Sequence, residues 1–220
     1  YVDLVENKAY TADGINLTDT AMPDSTEVSQ MREMLIEAVA SVDETLMEKY
    51  FGGEDLTAED IKSGLKIGVK SGDICPVYCG VQQTGDAIAL FADSITEILP
   101  SAAECQIKMA DGTSSAPDAS GENALFIFKT IADPFVGKLS YFKVISGKAT
   151  GDMKLKNNRT GEEERFSKVM WLKGGKLEDA DEIAAGDIGA VSKLGATVTG
   201  DTLSATGNVE VAKIPFPAPT

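Results

Sequence analysis

The sequence contains no histidine. Without an imidazole there is no Ser-His-Asp or Cys-His catalytic arrangement, and no histidine-containing metal site. Cysteine is scarce and odd in number: Cys75, Cys79 and Cys105 are the three. Cys75-Pro-Val-Tyr-Cys79 has the wrong spacing for a CxxC motif. Cys75 and Cys79 sit in an apolar run and are expected to be small buried thiols; reduced cysteines fit a cytoplasmic protein. The single tryptophan, Trp171, is expected in a core. No apolar run approaches the roughly 20 residues that span a bilayer, and no charged-then-apolar leader is visible, so no membrane partner is expected. The chain opens at Tyr1 and not at methionine, as a processed or excised piece does.

What is present describes a globular chain. Its 220 residues can hold one large or two modest domains. Hydrophobic residues make up 43% and charged residues 25%, enough for a core and too apolar for disorder. The net charge of −15 is uneven. Residues 1–100 hold 19 acids against 6 bases, whereas residues 123–220 hold 12 against 13. An acidic front half repels nucleic acid and suits a basic protein partner; no DNA partner is expected. The near-neutral back half can approach a phosphate backbone through local lysines.

Periodicity divides the chain at about residue 100. Tyr1–Tyr10 alternates weakly, as a strand does, and residues 11–25 read as a polar loop. Val28, Met31, Leu35, Val39, Val42, Leu46 and Tyr50 recur every three or four positions, which predicts one long helix over 26–50. Asp24 or Ser25 would cap its start, and Gly52-Gly53 would end it. Thr57-Ala-Glu-Asp60 carries the signature of a second helix start, with Ile61, Leu65 and Val69 as its stripe. Ile74–Cys79 reads as a short buried strand. Thr84 would cap a third helix with Ile88, Phe91, Ile95 and Ile98 on one face, stopped by Pro100.

From Asp111 to Gly121, Ser, Ala, Asp, Gly and Pro dominate, so residues 107–123 read as a linker. Beyond it the pattern is all β. Leu125–Ile131, Lys138–Ile145, Met153–Lys156, Arg165–Leu172 and Ile188–Val191 are short runs between regularly placed glycines, which predicts a small barrel over 124–213. Ile214-Pro-Phe-Pro-Ala-Pro219 is stiff and extended, a linker over 214–220.

Several words in the back half are specific. Ala132-Asp-Pro-Phe-Val-Gly-Lys-Leu139, Tyr141-Phe-Lys-Val-Ile-Ser-Gly147, Ala185-Gly-Asp-Ile-Gly-Ala190 and Thr199-Gly-Asp-Thr-Leu203, in that order, resemble domain II of the elongation factor G family. In the front half, Val2-Asp-Leu-Val5, Lys8-Ala-Tyr10, Leu46-Met-Glu-Lys-Tyr-Phe51 and Pro76-Val-Tyr-Cys-Gly80 resemble that family's G-domain insert and the strand after it. The resemblance implies an α/β segment over 1–106, comprising the insert and the C-terminal part of a GTPase domain, followed by an all-β translation-factor barrel.

The parent protein would then be a cytoplasmic, ribosome-associated GTPase that uses GTP and Mg²⁺ and promotes translocation. This chain would be no enzyme and would hold neither ligand alone. It has no Gly-x4-Gly-Lys-Ser/Thr to cradle phosphates. Asn7-Lys8-Ala9-Tyr10 lacks the aspartate of a guanine-reading Asn-Lys-x-Asp, and Asp118-Ala-Ser-Gly121 lies in low-complexity sequence. The family's last nucleotide motif usually reads Gly-Ser-Ala, with a backbone N–H on the guanine oxygen. Here Gly80, Val81 and Gln82 occupy those positions, which points towards a paralogue.

Two partner surfaces are implied by the resemblance. Glu37, Glu44 and Glu48 on the acidic helix would face the ribosomal stalk protein. Arg165, Lys168 and Lys173, with Lys176, would touch small-subunit ribosomal RNA; lysine at a strand edge also deters edge-to-edge pairing. The alternatives are a paralogue with an altered GTPase role, a ribosome-protection or release factor, or a non-GTPase protein-binding adaptor. The long acidic segment argues against a ribosome-protection or release factor, and the trailing linker against a free adaptor.

Overall fold

The computed structural model describes residues 1–218; Pro219 and Thr220, the end of the expected trailing linker, lie outside the described residues. The chain forms two units, Tyr1–Pro100 and Ser101–Thr220. No helix among the described residues is long and apolar enough to cross a membrane.

The first unit opens with three antiparallel strands, β1 (Val2–Asp3), β2 (Lys8–Asp13) and β3 (Asn16–Thr20). A turn at residues 4–7 interrupts the expected first strand. The Gly14-Ile15 turn, with Gly14 at φ 62°, folds most of the expected 11–25 loop into a hairpin instead. Four helices follow: α1 (Thr26–Ala40), α2 (Glu44–Phe51), α3 (Ala58–Ser71) and α4 (Ile88–Ile98).

The single helix expected over 26–50 is thus two. The apolar stripe runs through the break, so periodicity alone does not reveal it. Asp43 does: its Oδ1 accepts the N–H groups of Thr45 and Leu46 at 3.0 and 3.1 Å and restarts the helix. Ser25 caps α1, its Oγ accepting from the Val28 N–H. Thr57 and Asp60 form the expected reciprocal capping box on α3.

Val39, Ala40, Leu46, Leu56, Ile61, Leu65 and Ile98 make the core of this unit. The α3 face that meets α1 and α2 carries Gly64, where a Cβ would lie 2.5 Å from Val39 Cγ1. Close helix approach therefore requires glycine there.

Two further expectations fail in this unit. Ile74–Cys79 forms no strand, and Cys75 and Cys79 are exposed. An apolar run becomes a buried strand only where neighbouring strands satisfy its N–H and C=O groups, and none does here. Thr84 does not cap α4. That helix starts at Ile88, behind Ala87 in the left-handed region at φ 61°, with no side-chain cap. Of the four residues expected on its one apolar face only Ile98 is buried; Ile88, Phe91 and Ile95 are 41–46% exposed.

The second unit is mostly antiparallel sheet. Residues 107–123, expected as a linker, carry the short strands β4 (Ile107–Lys108) and β5 (Ser114–Ser115). Asp118 bonds on both sides here: its N–H donates to Ile145 O and its C=O accepts from Gly147 N–H. The strands β6 (Ala124–Asp133), β7 (Gly137–Ser146), β8 (Lys148–Thr150), β9 (Lys154–Asn157), β10 (Glu163–Arg165), β11 (Val169–Lys173), β12 (Lys176–Ala180), β13 (Glu182–Ala184), β14 (Ile188–Ser192) and β15 (Thr202–Ser204) follow. Eight of them form one sheet in the order β10-β9-β15-β6-β7-β14-β11-β12, and β8 pairs with β13. A bulge between Ile127 and Lys129 bends the β6–β7 pair, a device that lets a sheet curl.

Alternation sorts the side chains of this barrel-like domain. Leu125, Ile127, Phe142, Val144, Leu155, Phe166, Ile183 and Leu203 fill the interior, with Trp171 packed against them. The Phe142 and Phe166 rings meet edge-on with centroids 6.1 Å apart. Leu139 and Tyr141, one residue out of phase with Phe142, join Met170 and Ala190 in a separate cluster. Gly189 is required by packing, since a Cβ there would lie 2.1 Å from Ile183 Cδ1.

Candidate functional site

The β6–β7 hairpin ends in Asp133-Pro134-Phe135-Val136-Gly137. Asp133 Oδ1 accepts the N–H groups of Phe135 and Val136 at 2.8 and 2.9 Å, which fixes the turn. The same bonds, Val136's first, hold the Asp133 carboxyl below its usual range. The turn keeps Phe135 94% exposed.

Beside the hairpin, Lys193 donates its N–H to Lys138 O at 2.8 Å, and Lys138 Nζ donates to Gly195 O at 3.1 Å. Lys129 lies on the same hairpin. Among the described residues, none of Lys129, Lys138 and Lys193 enters an ion pair.

Two buried carboxylates fasten the loop that carries Lys193. Glu164 accepts from the N–H groups of Gly195, Ala196 and Thr197, each at 2.9 Å, and from Thr197 Oγ1 at 2.8 Å. Asp201 accepts from Arg159 Nε at 2.7 Å, Asn157 Nδ2 at 2.9 Å and Val198 N–H at 2.9 Å. Burial pushes both carboxyls up. For Glu164 the bonds from Gly195 and Thr197 outweigh it, and for Asp201 those from Arg159 and Asn157 do, so both lie below the usual carboxylate range. Asp201 thereby ties hairpin β9–β10 to this loop. No group of acidic or cysteine side chains among the described residues could hold a metal ion.

The residues singled out in the sequence fall as follows. Arg165 pairs with Asp152 at 2.9 Å, Lys168 with Asp179 at 2.5 Å and Lys173 with Glu178 at 2.7 Å. Each of these cations already has an anion. Glu37 is on α1 and Glu44 and Glu48 are on α2, so the three share no single helix; all are exposed. Gly80, Val81 and Gln82 are exposed in a turn where Val81 N–H donates to Asp86 O at 3.2 Å. Phe135 and Lys193 are not among the residues singled out in the sequence. Phe135 was legible as part of Ala132–Leu139; Lys193, set by its left-handed φ of 64°, has no local signal.

Residues 122–206 match the family model for elongation factor G domain 2. Among solved structures, a crystal structure of a protein from Thermus thermophilus shares the fold over 98% of this chain, with a TM-score of 0.72 and 24% identity. This chain spans 32% of the length of that one.

Proposed function

We propose that this chain is the ribosome-binding and coupling part of a cytoplasmic elongation factor G-like GTPase that promotes translocation. The observation that carries the reading is the elongation factor G domain 2 barrel with its hairpin tip. Phe135 stands in solvent there, and Lys129, Lys138 and Lys193, on the hairpin and the loop beside it, enter no ion pair among the described residues. A phosphate approaching Lys129, Lys138 or Lys193 displaces no carboxylate, whereas one approaching Arg165, Lys168 or Lys173 must. The tip is therefore the better contact for small-subunit ribosomal RNA, with the lysines on phosphates and the ring free to stack on an unpaired base. The acidic helices α1 and α2 face the stalk protein. GTP and Mg²⁺ belong to the whole protein, to which Gly80, Val81 and Gln82 supply the guanine contact. Val81 N–H is already engaged, so that contact falls to Gln82. The Gly80-Val81-Gln82 sequence favours a paralogue of the main translocase as the second reading.

Sedimentation of the chain with small ribosomal subunits tests this. Phe135→Ser with Lys138→Ala and Lys193→Ala should weaken binding about tenfold and flatten its salt dependence. Arg165→Ala with Lys168→Ala and Lys173→Ala should change it less than about twofold. Absence of sedimentation, or the reverse ranking of the two variants, overturns the proposal.

A further inference from the structure

One carboxylate ties together two segments of the first unit that lie 72 positions apart: Asp86 Oδ1 accepts the Gly14 N–H at 2.8 Å. Gly14 is the first of the two residues that turn β2 into β3, and its φ of 62° is the positive value that a two-residue hairpin turn asks of that position. The turn lies close against the loop that leads to Asp86. A Cβ on Gly14 would lie 3.3 Å from Thr84 O, and one on Gly85 4.0 Å from Ile15 Cγ2. Among the described residues Asp86 enters no ion pair, so no cation competes with the hairpin for its carboxylate.

Asp86 acts on its own loop through its backbone. Its C=O accepts the Val81 N–H at 3.2 Å, in an isolated antiparallel bridge that closes residues 82–85 into a turn. Within that turn Gly85 N–H donates to Val81 O at 2.9 Å. The Gln82 N–H makes no hydrogen bond among the described residues. Directly after Asp86, Ala87 is buried at φ 61°, a left-handed conformation that a residue with a Cβ resists. Such strain persists only where the surroundings impose it; here the bonds of Asp86 hold one side and the start of α4 the other. A single bridge across an exposed turn is marginal in water by itself. The bond from Gly14 therefore decides whether the bridge stays closed.

We infer that Asp86 is a positioning residue: its side chain latches the Gly80–Gly85 loop to the β2–β3 turn, and its C=O thereby keeps the Val81 N–H occupied and leaves the Gln82 N–H as the free donor. The bearing of this latch on nucleotide rests on the reading that Gly80, Val81 and Gln82 meet the guanine; the latch itself does not. Drawing the hairpin turn away from Asp86 opens the bridge, and a second N–H becomes available to the guanine oxygen. The hairpin thus sets the donor pattern of a loop distant from it in sequence.

The test follows amide exchange in the full chain by NMR. Asp86→Ala removes the acceptor, and the Val81 N–H should exchange about tenfold faster. Asp86→Asn keeps a side-chain oxygen for Gly14 and should stay within about twofold of the parent. Gly14→Ala loads the latch from the hairpin side, through its left-handed φ and the contact with Thr84 O, and should quicken Val81 exchange about threefold. The amide of Leu65, buried in α3, should not change in any of them, which separates the latch from general loosening. Unchanged Val81 exchange in Asp86→Ala or Gly14→Ala, equal quickening in Asp86→Asn, or quickening of Leu65 in step with Val81 overturns the inference. Release of a fluorescent GDP is measured in parallel from the whole GTPase carrying Asp86→Ala. If Val81 exchange responds and GDP release does not, the guanine reading falls and the latch stands. If GDP release changes and Val81 exchange does not, the latch falls and the guanine reading stands.

Discussion

Glu164 and Thr197 lie 33 positions apart, yet one Glu164 oxygen, Oε1, accepts both the Thr197 N–H at 2.9 Å and the Thr197 hydroxyl at 2.8 Å. The other oxygen takes the Gly195 N–H. The loop that carries Lys193 is therefore shaped by a carboxylate on the far hairpin. Glu164→Ala would strand three buried or half-buried N–H groups, at about 1–3 kcal/mol each when no water replaces the acceptor. We expect a loss of about 3 kcal/mol in the barrel, read from Trp171 fluorescence in urea. Trp171 packs on the barrel core, so its signal reports this unit. A loss under about 1 kcal/mol would show that water substitutes for the carboxylate.

The same carboxylates set the acid limit of the barrel. Glu164 and Asp201 both titrate below their ordinary range when folded, so between the folded and unfolded values the unfolded chain binds more protons. Stability then rises with pH across that window. Their contribution is complete above the ordinary carboxylate value of about 4 and is lost as pH falls through the depressed values. Trp171-monitored melting should be flat from about pH 7 to about pH 5 and decline from about pH 4 downward. Glu164→Gln with Asp201→Asn should be less stable at neutral pH and show a shallower acid decline. An equally steep decline in that variant would assign acid sensitivity to other groups.

The barrel was legible in the sequence because its signals are local. Glycines mark the hairpins, and words such as Ala132–Leu139 and Ala185–Ala190 span single turns. Gly189 within the second word answers to packing against Ile183. The front half was less legible for three reasons. The apolar stripe through Val42 conceals the restart at Asp43. The apolar run Ile74–Cys79 signals burial but supplies no ladder partner. Exposed Phe91 and Ile95 on α4 show that an apolar face predicts a contact, not where the contact is made. The Glu164–Thr197 clasp has no sequence signature, because neither residue's neighbours reveal the other.

Asp43 gives a sharp test of the split helix. Asp43→Ala removes the acceptor for Thr45 and Leu46 N–H, while Asp43→Asn keeps a side-chain oxygen. Loss of such a cap costs about 1 kcal/mol. Amide exchange at Thr45 and Leu46 should quicken roughly fivefold in the alanine variant and little in the asparagine one. Equal exchange in both would mean that tertiary packing of Leu46, not the cap, starts α2.

Gly64 offers the opposite kind of test, one in which helix propensity and packing predict opposite signs. Alanine in a helix interior is favoured over glycine by about 1 kcal/mol. At Gly64, however, the added Cβ would lie 2.5 Å from Val39 Cγ1 and 2.9 Å from Leu46 Cδ1. Val39 is fully buried and has no free space to yield. Overpacking of this kind costs about 1–3 kcal/mol, so packing should win and Gly64→Ala should destabilise the helical unit by about 1 kcal/mol net. Ser63→Ala, on the exposed side of the same turn, carries the propensity gain without the contact and should be neutral or slightly stabilising. Helical circular dichroism followed through urea unfolding separates the two. A Gly64→Ala variant more stable than the parent would show that α1 and α3 can move apart, and that the glycine is not what sets their approach.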